Sequence, residues 1–541
     1  MKEILIINTR RMGDIYAMVP LLIALKNKNP NCKITLFTFD ETKKCAHHLD
    51  CIDSVATLDR LHFLTLKKSE IYSKAFALDF LYDSVGPLIE SHWDLVVNYS
   101  NDSFSTYLAT LVTNTNYFCG IKYDIETGTL TSSSNWVSTF NEYATTTPFS
   151  FVHTVDFFIN DLGLNQSLEK YNPFRTSPSL DKQAEISFQK IKTLEKETGR
   201  NVLLVGIQFK TSRKEKDINY NLATEIINEI LESKKFYPII ITAPSEEEKE
   251  IAKKLNSYFN NRLVIVECDL FGLPSILKSL DYLICPDTAV KHMADLCNLP
   301  TVELSLGPSP IFKQGSRNEK SIVLSDDVWS RNFSSKLEKN NPTSISAKDV
   351  MAALLLISTN YLDTSVLSTT NTNFFRPQNT NFGVIYKLIA GKRESYKEIS
   401  MAVIRKYCVE TFEGETTKLD LEEFSSKETL QWAKSQMSNL ALALKDILNI
   451  LRSLKLNERG FIKNLDDLLN RNNEFMISTI SIALFKFKLE NMINDGVAVN
   501  QIKIEKELFH LKTQIQFATV IAKELIATHN LSGLYEESRN Y

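Results

Sequence analysis

Apolar and polar positions follow two alternating regimes through the first two thirds of the chain. Short continuous apolar runs, of strand length, are separated by longer stretches with helical spacing. The run Ile4-Leu5-Ile6-Ile7 is the first of these, and a helix is expected from about Ile15 to Lys28. Lys33 to Thr38 and Asp94 to Asn98 read as the next strands, with a helical stretch near residues 103–112. Strands alternating with helices predict a parallel sheet covered on both faces.

The same alternation restarts after a polar linker near Thr176 to Ser179. Expected strands are Val202 to Ile207, Tyr237 to Thr242, Leu263 to Val266, Tyr282 to Cys285 and Thr301 to Leu304. Helices are expected near residues 181–198, 221–233, 246–258 and 290–297, and a closing helix at Ser344 to Ser358. The fold class is therefore α/β, with two doubly wound domains, residues 1–175 and 180–358, facing each other across a cleft. Residues 359–381, rich in Thr and Asn, read as a linker. Residues 382–541 have few strand signals. Leu440, Leu444, Ile447 and Leu451, and Ile504, Leu508, Leu511, Ile515, Ala518, Ala522 and Leu525, form helical seams. These predict an α-helical domain that buries its own stripe. Oligomerisation through these helices and docking of an acceptor both stay open.

Composition narrows the classes. A chain of 541 residues, 43% hydrophobic and 10% aromatic, can build more than one core. With 62 basic and 65 acidic residues the net charge is -3, so no polyanion-binding surface runs over the whole chain and nucleic acid is not an expected partner. The eight cysteines include no C-x-x-C pair, which gives a metal site little support and fits a reduced, cytoplasmic setting. The first apolar run is short and is followed by Asn8, Arg10 and Arg11, unlike a signal peptide. No stretch reaches the length of about 18 apolar residues that a membrane span needs. A peripheral contact at the inner membrane stays open.

Candidate chemistry concentrates just after strands, where open α/β sheets bind ligands. Arg11-Met12-Gly13-Asp14 links the first strand to the first helix. A glycine there permits a sharp turn and a close approach to a ligand. Asp14 at the helix start would be held ionised, as a general base or simply as an N-cap. Lys210-Thr211-Ser212-Arg213-Lys214-Glu215-Lys216 offers hydroxyls and cations for a diphosphate, or is a solvated loop. Glu246, after Ala243-Pro244, can accept hydrogen bonds from a ribose or merely favour the helix dipole. Asp287-Thr288-Ala289-Val290-Lys291-His292 places backbone amides of a helix start toward an anion, with His292 one turn on.

Taken together these clusters resemble glycosyltransferase family 9, the bacterial ADP-heptose heptosyltransferases, over roughly residues 1–358. The resemblance rests on Met12-Gly13-Asp14 and Val19-Pro20, on Thr211-Ser212 with Lys216, on Glu246, and on Asp287 to His292 followed by Leu299-Pro300 and Gly307-Pro308. It implies a GT-B fold with two Rossmann-like domains and an inverting, single-displacement transfer with no cofactor and no metal. Asp14 and Lys216 would be catalytic, as base and as the cation on the departing diphosphate. Thr211, Ser212, Thr288 and Ala289 would contact phosphates, Glu246 the ribose, and Asp287 the sugar or neighbouring amides, with His292 beside them. Two departures stand out. Ala289 replaces a usual glycine, and Arg10-Arg11 replaces small hydroxyl residues, which points to a changed, anionic acceptor or to solvated arginines. The implied partners are a nucleotide-sugar donor of the ADP-heptose type and a glycolipid or protein acceptor. Three functions follow as expectations: transfer of heptose or a related sugar to a lipopolysaccharide-core acceptor, glycosylation of a protein docked on the helical domain, and a non-catalytic nucleotide-sugar binder.

Overall fold

The computed structural model describes residues 2–415, apart from 72–73, 114–116, 127–129, 147–149, 165–172, 308–309, 327–343, 364, 366, 368–371 and 393–394. Beyond 415 it describes Gln431, Lys445, Val520 and Lys523. The chain forms two compact units, residues 1–120 with 152–392 and residues 121–151 with 393–541. The helical seams expected at Leu440 to Leu451 and Ile504 to Leu525 lie outside the described residues.

The first unit opens with five parallel strands, β1 (Glu3–Ile7), β2 (Lys33–Phe39), β3 (Ser54–Leu58), β4 (Leu95–Asn98) and β5 (Phe118–Cys119). Their order, β3-β2-β1-β4-β5, reverses direction between β1 and β4. Leu5, Ile7, Phe37, Val96, Leu108 and Val112 fill one face of this sheet. The helix expected from Ile15 starts earlier and is broken, as Met12–Ala17 and Val19–Lys28. Pro20 explains the break: it has no N–H to continue the ladder, and it suits the first turn of a new helix.

The second unit contains an antiparallel pair, β6 (Ile121–Tyr123) and β7 (Leu130–Ser132), and the helix Asn135–Thr146. It also contains the helix Ser395–Cys408 and a π turn, Val409–Glu413. Trp136 is buried, stacks edge-on against Phe412 at 5.2 Å between centroids, and donates its ring N–H to Glu413. Residues 121–151, expected with the N-terminal domain, thus group with the C-terminal segment.

Back in the first unit, a second sheet comprises β8 (Leu203–Ile207), β9 (Phe236–Thr242), β10 (Val264–Glu267), β11 (Tyr282–Pro286), β12 (Thr301–Ser305), β13 (Ile322–Ser325), β14 (Asn373–Thr380) and β15 (Gly383–Ala390). The order is β10-β9-β8-β11-β12-β13-β14-β15, parallel as far as β13, with its reversal between β8 and β11. Ile207, Ile227, Ile240, Ile284, Val302 and Leu354 lie in its core. Two Rossmann-like parallel sheets, the components of a GT-B fold, are therefore present as expected. The expected linker at 359–381 needs correction, since β14 and β15 form an antiparallel hairpin that extends the sheet, and residue 382 starts no helix. Pro377 does not prevent this, because β13 pairs only with residues 373–375 and demands no N–H from it.

The helix Thr154–Asp161 fastens the segment before the second sheet to that sheet. Asp156 is fully buried; its Oδ1 accepts from Arg317 Nη2 at 2.8 Å and its Oδ2 from the Val384 amide at 2.9 Å. Gly383 has φ +132, and a Cβ there would strike the Asp156 carboxylate, so glycine is required twice over. Thr154 Oγ1 donates to the Lys313 carbonyl at 2.8 Å, and Asn160 Nδ2 to that of Phe382 at 3.0 Å.

Tyr16, His48, Phe174 and Phe271 form an aromatic cluster, with His48 edge-on to both phenylalanines and Tyr16 Oη bonded to His48 Nε2 at 2.7 Å. Burial pushes His48 from the ordinary 6.5 down to about 4, and His153 and His292 well below 6.5 for the same first reason. The unfolded chain therefore takes up these protons before the folded one. Stability held above pH 6.5 is lost as pH falls toward 4. Thermal melting across that window is expected to show a falling Tm, and a smaller fall in the Tyr16→Phe/His48→Phe variant; parallel curves would remove His48 from the account.

Candidate functional site

The reversal points of both sheets bring the candidate residues to one place within the first unit. After β1, Asn8 Oδ1 accepts the Arg10 amide at 3.1 Å, and Thr9 donates from its amide to Ser100 Oγ at 2.6 Å and from its hydroxyl to Asp102 Oδ2 at 2.5 Å. The Arg10 guanidinium donates to the Ser100 carbonyl through Nε at 3.0 Å and Nη2 at 2.6 Å. The two loops that follow β1 and β4 are thereby tied together. Arg11 is exposed and is the N-cap residue.

Asp14 is not the N-cap but the third residue of the Met12–Ala17 helix, where its Oδ2 accepts the Arg11 amide at 3.2 Å. That is the returning half of a capping box. Burial raises its pKa above the ordinary 3.8; Arg10 and the Arg11 amide oppose the rise, and the nearby Asp287 charge adds to it. The expected held-down carboxylate is thus corrected, because loss of solvent outweighs the helix dipole. Gly13 sits in ordinary helical backbone rather than at a sharp turn. A Cβ on Gly13 would lie 3.6 Å from His292 Cδ2 and 3.8 Å from Ala289 Cα. The start of the first helix therefore faces the start of the Ala289–Leu296 helix.

On that opposite wall, Asp287 directly follows β11 and carries two ammonium partners, Lys216 Nζ at 2.5 Å and Lys291 Nζ at 2.6 Å. Burial works against its ionisation, yet Lys291 and then Lys216 hold it well below the ordinary carboxylate value. Lys216 reaches it from the short helical turn Lys214–Lys216. Its aliphatic stem runs over Gly307, where a Cβ would stand 3.1 Å from Cε and 3.2 Å from Cδ. Gly307 thus keeps open the slot for the lysine; Pro308 lies outside the described residues. Thr288 caps the Ala289–Leu296 helix, and its Oγ1 donates to Gln208 Oε1 at 3.2 Å. Ala289 has no positive φ, so its methyl group is accommodated where a glycine was the expected residue. His292 is buried, and burial followed by the Lys291 charge holds its ring neutral.

Asp14, Lys216, Asp287, Thr288, Ala289 and His292 are therefore neighbours. Thr211 spends its hydroxyl locally, accepting the Arg213 amide at 3.0 Å and donating to the Arg213 carbonyl at 2.6 Å, while Ser212 is exposed. Glu246 is exposed at the rim and pairs with Lys249 at 3.3 Å. Its neighbour Glu247 instead reaches the phosphate-type loop, through Lys210 at 3.0 Å. Sequence reasoning missed Gln208, Glu303 and the wedge at Gly307. A glutamate inside the apolar strand Thr301-Val302-Glu303-Leu304 was the visible signal for a buried cation.

The Asp14 helix start thus lies beside Asp287 and the start of the Ala289–Leu296 helix, between two Rossmann-like sheets. The sequence matches glycosyltransferase family 9 (heptosyltransferase) over residues 118–342. Asp14 and β1 to β4 precede the matched span. No curated protein matches the chain. Among solved structures it is similar to a family 9 glycosyl transferase from Veillonella parvula, at 17% identity and TM-score 0.48, over 66% of this chain and 98% of that one. The E. coli heptosyltransferase WaaC with ADP is similar at 16% identity and TM-score 0.45, over 66% and 99%. E. coli ADP-heptose lps heptosyltransferase II is similar at 14% identity and TM-score 0.44, over 66% and 99%. No described helix is long and apolar enough to cross a membrane.

Proposed function

We propose that this glycosyltransferase moves heptose or a related sugar from an ADP-sugar to a lipopolysaccharide-core acceptor, with inversion. The observation that carries the reading is the approach of the Gly13-Asp14 helix start to the Asp287–Ala289 turn, which brings the Asp14 carboxylate near Asp287 and the two lysines paired with it. The family match supports heptose as the sugar. Asp14 takes the proton of the acceptor hydroxyl as its oxygen attacks the anomeric carbon. The bond from that carbon to the diphosphate oxygen breaks, and the electron pair leaves with the diphosphate. Lys216, turning from Asp287, and the amides at Thr288 and Ala289 offset the charge that develops there. Thr211 and Ser212 close over the phosphates, and Glu246 holds the ribose from the rim. Arg10, fixed against Ser100, and the exposed Arg11 offer positive charge to an anionic acceptor.

The test is a thermal-shift and transfer assay with ADP-heptose beside ADP-, GDP- and UDP-hexoses, since a ligand of the folded state raises its Tm. ADP-heptose is expected to give the largest shift and a transferred product; a larger shift with a UDP-sugar would reassign the donor. Lys216→Ala is expected to weaken nucleotide diphosphate binding about tenfold or more, as loss of a charge-assisted bond does. Gly307→Val, which fills the slot under the lysine, is expected to act in the same direction. Unchanged calorimetric affinity in both would remove Lys216 from the site.

A further inference from the structure

Lys291 is fully buried, a costly place for an ammonium unless anions and carbonyls surround it. Its Nζ donates to Asp287 Oδ1 at 2.6 Å, to Glu303 Oε1 at 3.3 Å and to the Gln314 carbonyl. Those partners come from the end of β11, from β12 and from the segment after it. Glu303 is fixed in turn, because its Oε2 accepts the Ser316 amide at 2.7 Å. Asp287 thus gives one oxygen to Lys291 and the other to Lys216. The two cations differ in setting. Lys291 has no exposure and is held from three sides, whereas Lys216 reaches in from a short loop at the cleft edge with its side chain 11% exposed.

We infer that Lys291 is a positioning residue: the permanent counter-ion of Asp287, which lets Lys216 exchange that carboxylate for the diphosphate of a bound donor. The inference rests on the reading of Lys216 given above. Were Lys216 the sole cation on Asp287, moving it to a ligand would strand a buried carboxylate, and the cost would be charged against binding. With Lys291 in place, Asp287 keeps a partner throughout. The hold of Lys291 and Lys216 on Asp287, well below its ordinary value despite burial, agrees with this division of labour.

The experiment is calorimetry on the full chain with ADP, GDP and UDP, using the nucleotide that binds the wild type most tightly. Lys216→Met is expected to lose affinity, and Lys291→Met to lose about tenfold, the scale of one charge-assisted bond. Because Lys291 acts only through Lys216, the Lys216→Met/Lys291→Met variant is expected to bind no more weakly than Lys216→Met. Asp287→Asn added to Lys291→Met is expected to restore affinity, since a neutral amide no longer retains Lys216. A lysine that only supports the fold predicts additive losses and no restoration. Additive losses, absent restoration or unchanged affinity in Lys291→Met would each overturn the inference, while a loss in Lys216→Met would leave the site reading standing. Full affinity in Lys216→Met, or a wild type that binds none of the three, would overturn both. Should Lys291→Met fail to fold, Lys291→Gln, whose amide still donates to Asp287 or Glu303, takes its place under the same criteria.

Discussion

Asp14→Asn is expected to lower turnover by about 10²-fold or more while leaving nucleotide diphosphate affinity nearly unchanged, the signature of a lost general base. The same substitution is expected to raise Tm at pH 8. Burial lifts the folded-state pKa of Asp14 above its ordinary 3.8, so the folded chain binds this proton more tightly than the unfolded chain. The associated stability is complete below 3.8 and is lost as pH rises through the folded value. At neutral pH the ionised carboxylate is a net cost, which an amide does not carry. Wild-type turnover is expected to climb with pH as Asp14 ionises, with its inflection above 3.8. A variant that is more stable and inactive would show activity and stability opposed at a single atom pair. Undiminished turnover would exclude Asp14 from proton transfer.

Asp156→Ala is expected to destabilise the first unit by about 3–5 kcal/mol, the usual result of removing one partner of a buried ion pair. The loss has two components, the Arg317 guanidinium left without this carboxylate and the Val384 amide left without its acceptor. Asp156→Leu/Arg317→Met, which removes both charges, is expected to recover much of it. Urea denaturation provides the measurement. A loss below about 1 kcal/mol for Asp156→Ala, the range of an exposed pair, would show that solvent reaches the contact.

The fold was legible in the sequence wherever apolar runs were dense. Ile4 to Ile7, Tyr237 to Thr242 and Thr301 to Leu304 all occupy interior parallel strands, largely buried on both faces, and Glu303 is the one charged position within these runs. The hairpin β14–β15 was not legible, because Asn and Thr flank it and Pro377 lies inside it. Only the tertiary pairing shows that this proline faces no donor requirement. Asp14, Lys216 and the Asp287 to His292 run were legible because each follows a strand. The charge states were not. A dipole argument alone holds Asp14 down, and desolvation by the facing helix, a contact between distant segments, reverses the sign. Lys291 and Glu303, twelve residues apart, became a pair only once β11 and β12 were laid side by side.

The grouping of residues 121–151 with those beyond 393 bears on how this protein is made and cut. On the ribosome, the Asn135–Thr146 helix emerges before the entire second sheet is synthesised, and Trp136 must wait for Phe412 and Glu413 to cover it. Truncating the chain just after β15 would strand that early segment with its indole bared, so a clean catalytic fragment requires excising both pieces together.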